Sequence, residues 1–174
     1  MKKLLSILGA VGLTATSTAS LVTCNNNTYN DKKEITPEEL KKLKKENQIN
    51  TTDENIKNNL EWIAPQEKPF NQVDNKYYFV VWRGDKNDDW RIIKFQNNEE
   101  QREKQILEDY KNFRLILHNQ KVLYIMEIGK KGIPWSRENF DYFKSVYRWK
   151  LDTSPPLLPS LISDNKGNIK VNTQ

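Results

Sequence analysis

The chain has 174 residues, enough for one domain with additions. It is 36% hydrophobic and 29% charged, so its core must be modest. A formal charge of +5 is mild beside the concentrated positive face of a nucleic-acid binder, and the single cysteine and single histidine (Cys24 and His118) exclude an internal disulfide and a metal site of those residue types.

The N-terminus divides into three zones. Lys2 and Lys3 form a positive start, Leu4 to Leu13 a short apolar run, and Thr14 to Ser20 a stretch of small and hydroxyl residues. This order is that of a secretion leader. Residues 4–23 carry no charge and are long enough to span a bilayer, so an uncleaved signal anchor is the alternative. Cleavage of residues 1–23 removes two positive charges and leaves +3. Past the leader Ala64 is the only alanine while Lys, Asn and Ile abound. An AT-rich coding sequence imposes that bias, so the lysines need not imply an anionic partner.

Leu21-Val22-Thr23-Cys24 resembles a lipobox, the motif read by lipoprotein signal peptidase. The resemblance implies recognition through Leu21 and Thr23, cleavage before Cys24 and a diacylglycerol thioether on its sulfur. Thr23 departs from the usual Gly, Ala or Ser. A competing cut after Ala19, within Ser17-Thr18-Ala19, would release an unanchored protein. The leader as a whole resembles those of mollicute lipoproteins of the spiroplasma type, and Asn75 to Gly84 looks like a block found in such proteins. The implied address is the extracytoplasmic face of the cell membrane, with membrane lipid as partner. One acyl chain holds a protein only marginally, and the two of a diacylglycerol hold it durably.

Residues 24–35 are polar and read as a flexible tether. Thr36, Pro37 and Glu39 carry the signature of a helix start, and the helix is expected to reach Gln48. Only Leu40 and Leu43 give it an apolar stripe, so it should dock weakly. A second short helix is expected from Asp53 to Trp62, making 36–70 a polar helical spacer. The core domain is expected over 71–150. Tyr77–Arg83 and Trp90–Phe95 read as strands of a hairpin around 84–89. Asn98 can cap a helix over Glu99–Phe113 with Ile106, Tyr110 and Phe113 at helical spacing. Arg114–His118 and Lys121–Ile128 form a second hairpin, its second strand apolar on both faces and therefore central. Ser136 caps a last helix to Lys150, whose apolar arc covers about half its circumference. Residues 151–174 read as an extended C-terminal tail. The expected fold class is α+β: a small four-stranded antiparallel sheet of two hairpins, with helices packed on one face.

No sequence motif for catalysis emerges. His118 stands at the mouth of a hairpin, where a turn-flanking role competes with that of a base. Asp88-Asp89 and Glu99-Glu100 are adjacent pairs that suit a turn and a helix start better than an acid–base pair. No glycine-rich phosphate loop is present. Arg83-Gly84-Asp85 spells the integrin-binding tripeptide at an expected turn that presents both charges outward, although Gly and Asp are also ordinary turn residues. Trp82, Trp90, Trp135 and Trp149 can line a binding surface or fill the core, and Trp90 and Trp135 are expected to be partly exposed. The expected function is a non-catalytic, membrane-anchored binding module without cofactor, metal or nucleic acid. Its partner would be a host or cell-surface protein or glycan met through Arg83, Asp85, Trp90 and Trp135. The alternatives are a small nuclease- or glycosidase-like surface hydrolase and the solute-binding component of a transporter.

Overall fold

The computed structural model describes residues 35–98, 103–119, 121–137, 140–152 and 158–172. The chain divides into Met1–Asp31 and Lys32–Gln174, and the described residues belong to the second unit. Leu21, Thr23 and Cys24, Glu99-Glu100 and the stretch 153–157 lie outside the described residues.

Helix α1 spans Pro37–Glu46 and starts as its sequence predicts. The Thr36 hydroxyl accepts from the Glu39 amide and the Glu39 carboxylate accepts from the Thr36 amide. Helix α2 is shorter than expected, Glu54–Asn59, with the Asp53 carboxylate accepting from the amides of Asn55 and Ile56. Leu60–Trp62 leave the helix and become strand β1.

The body is mostly antiparallel β. Strands β2 (Tyr77–Trp82) and β3 (Arg91–Gln96) form the expected first hairpin. Strands β5 (Phe113–His118) and β6 (Val122–Glu127) form the second. The two hairpins do not share a sheet, which corrects the expected single four-stranded sheet. The first joins β1 and β8 (Phe143–Trp149) in the order β1-β8-β2-β3. The second joins β4 (Lys104–Tyr110) and the two-residue β7 (Ile133–Pro134) in the order β4-β5-β6-β7. A third, two-stranded sheet pairs β9 (Leu161–Ser163) with β10 (Ile169–Val171), where an extended tail ending in disorder or a loose edge strand was expected.

Where described, both expected long helices are replaced mainly by strands, β4 and β8, for identifiable reasons. In β4 the register shifts between Ile106 and Glu108, so Leu107 is an extra residue in a bulge. The bulge breaks the alternation of a strand and leaves Ile106 and Tyr110 at a spacing that imitates a helix. Ile106 in fact faces away from Tyr110 and is 45% exposed. In β8 the half-circumference apolar arc reflects burial on both faces of a strand hydrogen-bonded on both edges. Phe143 and Val146 face the β5–β6 sheet in a core with Phe70, Tyr78, Val80, Trp82, Leu115, Leu117, Leu123 and Ile125. Tyr147 and Trp149 face the opposite way, into a second core with Ile49, Ile56, Leu60 and Phe79. Leu158, Leu161, Ile169 and Val171 close that second core. Ser136 lies in a single 3-10 turn, Trp135–Arg137, and caps no helix.

The sheet containing β2 is thus a middle layer, which explains why β2 is buried at five of its six positions. Residues 36–70, read from sequence as a spacer, supply an edge strand and Ile49, Ile56, Leu60, Ile63 and Phe70 to the interior. Strand β6 is central in its sheet, as expected, but buries only Leu123 and Ile125.

Candidate functional site

Three groups of polar and aromatic side chains stand out, each assembled from segments far apart in sequence. The first surrounds the loop between β2 and β3. Arg83 does not point outward as its place in the tripeptide suggested. Its Nε donates to the Asp141 carbonyl at 2.7 Å, and its guanidinium lies over the Trp90 ring, 4.4 Å from the centroid. Gly84 is buried, and a Cβ there would stand 2.5 Å from the Phe113 ring. Asp85 is exposed and folds its own loop, accepting from the Asn87 amide at 2.9 Å. Asp88 pairs with Lys111, so the Asp88-Asp89 pair splits between an ion pair and solvent.

Trp90 is half-buried. A Cβ on Gly167 would lie 2.8 Å from its ring, so the β9–β10 turn packs on the indole. Trp135 is also half-buried, with its ring 6.3 Å from that of Phe70. Trp82 and Trp149 are fully buried. Arg83 and Trp90 therefore come together, Asp85 stands on the same loop, and Trp135 belongs to the edge of the core.

Beside this loop runs 140–142. The Arg83 amide donates to the Tyr142 carbonyl at 2.9 Å, and Lys86 pairs with Asp141 at 2.7 Å. Phe140 exposes 71% of its surface and has φ +64°. A left-handed backbone is an outlier for a bulky side chain. The sequence placed Phe140 on the apolar arc of a helix, and nothing in its spacing marks it as a surface residue.

The second group is a charged cluster where α1 meets β1 and β8. Lys44 Nζ donates to Glu61 Oε1 at 2.5 Å and Glu67 Oε1 at 2.6 Å. Arg148 donates to Glu61 Oε2 at 2.9 Å, and the Ala64 amide to Glu67 Oε2 at 2.7 Å. Asp74 Oδ2 accepts from the Tyr78 hydroxyl at 2.7 Å, while its Oδ1 accepts from the Lys76 amide and the Asn97 side chain. Burial alone would raise the Glu61 pKa, but the bonds from Lys44 and Arg148 outweigh it and hold the carboxyl below its ordinary range. Burial opposes the Lys44 charge too, and the two carboxylates more than restore it. Burial, then the Asp74 bond, pushes the Tyr78 phenol well above its ordinary value.

The third group joins the two large sheets. Glu108, at the β4 bulge, accepts from the Trp82 indole at 2.7 Å and from Arg91 Nε at 3.0 Å. Arg91 also lies over the Tyr110 ring, 3.9 Å from its centroid.

In Glu61, Glu67, Asp74 and Glu108 every oxygen already accepts a hydrogen bond from the protein. These carboxylates hold segments together. His118 ends β5, opposite Lys104 and Val122, with its ring edge-on to Tyr124 at 6.3 Å. Among the described residues no group of three His, Cys, Asp or Glu could hold a metal ion, and no helix is long and apolar enough to cross a membrane. Compared with protein families, with curated proteins and with solved structures, the chain matches none.

Proposed function

We propose that this chain is a lipid-anchored surface protein whose folded domain binds a partner and performs no chemistry on it. The anchor rests on the leader and on Leu21-Val22-Thr23-Cys24. Diacylglycerol on Cys24 would hold the chain at the extracytoplasmic face of the membrane.

The observation that carries the binding role is Phe140. A large aromatic, 71% exposed in a left-handed backbone, is costly to the fold and belongs where contact with another molecule offsets that cost. It adjoins the 83–90 loop through Asp141, so the binding face comprises Phe140, Asp85 and the exposed part of Trp90. The class of partner it suits is a surface protein or glycan, since both are recognised by an aromatic flanked by a charge.

The experiment is cross-linking at the cell surface, with identification of captured partners for the wild type, Phe140→Ala and Asp85→Asn. Both variants should keep their circular dichroism and lose most of the capture. Undiminished capture by both variants would rule this face out as the binding surface.

Among the described residues, the convergence of Glu61, Asp74 and Arg148 is what favours the hydrolase alternative. The hydrogen bonds that already engage both oxygens of Glu61 and of Asp74 in holding segments together weigh against it. Hydrolysis of a nucleic acid or glycoside by purified protein, abolished by Glu61→Gln, would reverse that judgement.

A further inference from the structure

Helix α1 is well made internally, yet it is attached to the fold without burying a single side chain. Its capping box and first-turn proline fix its start, and Glu38, Glu39, Lys44 and Lys45 complement its dipole. Leu40 and Leu43 are only half-buried, and the first buried side chain after the helix is Ile49, 5% exposed. The attachment is polar instead. Lys44 reaches Glu61 and Glu67. Just before the helix, Ile35 and Gln66 exchange two hydrogen bonds, at 3.0 Å and 2.8 Å. At its far end the Asn47 carbonyl accepts from the buried Tyr147 hydroxyl at 2.9 Å, which pins the C-cap to the sheet.

Breaking the Lys44 contacts strands no charge. Glu61 keeps Arg148 and Glu67 keeps the Ala64 amide. The Lys44 side chain is already 26% exposed and can rehydrate. An element that buries no side chain and is held by a few polar contacts belongs to the low-stability end of a fold and opens locally while the rest stays folded.

We infer that α1 is a releasable latch, which swings away from the sheets about Asn47 while the β body stays intact. Its consequence rests on the anchored reading above. The chain from Asn25 to Ile35 can span at most roughly 38 Å, and adding residues 36–46 extends this to roughly 75 Å. A released helix of this length is marginal in water and would lengthen toward that limit under load. Latching thus sets how far from the membrane the binding face works.

The test is amide hydrogen exchange, read by mass spectrometry on the full chain. Amides of Leu40–Asn47 should exchange at least ~100-fold faster than those of Tyr78–Trp82. Lys44→Met should speed α1 about 10-fold further and leave β2 unchanged, and Gln66→Ala should act in the same direction. Equal rates in α1 and β2, or a variant effect of equal size on both, would overturn the latch. Fatty-acid labelling of the same preparation separates the two ideas, because rapid exchange of α1 without label would keep the latch and remove only its role in reach.

Discussion

At the scale of single residues, close approach and backbone geometry give the sharpest expectations. Gly84 faces Phe113 so closely that a Cβ would overlap the ring. Gly84→Ala should therefore cost about 1–3 kcal/mol by overpacking, seen as a lower denaturation midpoint with an unchanged slope. Phe140 offers the opposite case. Its left-handed backbone suits glycine, so Phe140→Gly should raise stability by roughly 1 kcal/mol while abolishing partner capture. A loss of stability would mean that Phe140 serves the fold. Tyr147 supplies a pH dependence. Burial pushes its phenol from an ordinary value near 10 up to about 12. The raised value favours the neutral form in the folded state, so its contribution is complete below pH 10 and is lost as pH rises toward 12. Denaturation followed across that window should show stability falling together with the appearance of tyrosinate absorbance. A flat profile would show that Tyr147 is not buried as described.

At the scale of elements, the C-terminal hairpin makes the most exposed prediction. Leu158, Leu161, Ile169 and Val171 pack over the core formed by Phe79, Tyr147 and Trp149. Deleting residues 158–174 should uncover that core, lower the melting temperature and induce binding of a hydrophobic dye. A truncated chain that melts like the full one would place the hairpin outside the fold. The sequence revealed this element poorly, because three-residue strands carry too short an alternation to detect. It revealed the start of α1 and both central hairpins well, since capping residues and turn chemistry act locally. It misled over β4 and β8 because a bulge and two-sided burial each reproduce a helical spacing. The ion-pair clusters were illegible for another reason. Lys44, Glu61, Glu67, Asp74 and Arg148 come from segments up to 104 residues apart, and no local pattern joins them. The expectation of partial exposure for Trp90 and Trp135 agrees with the structure, whereas an outward Arg83 does not.

At the scale of the whole molecule, the described residues form a layered β body preceded by a polar helix. The layers follow from burial: a middle sheet covered by a second sheet on one side and by α2 with the C-terminal hairpin on the other. Its half-buried carboxylates fasten these parts together. The proposed attachment at Cys24 would give the arrangement a use, and it can be measured directly. Cells expressing the wild-type chain or Cys24→Ala are fed a fatty-acid probe, and the purified protein is examined for label. The account predicts label on the wild type, its complete loss in Cys24→Ala, and release of the variant from the membrane fraction. Label that persists in the variant, or a wild type that carries none, would contradict it.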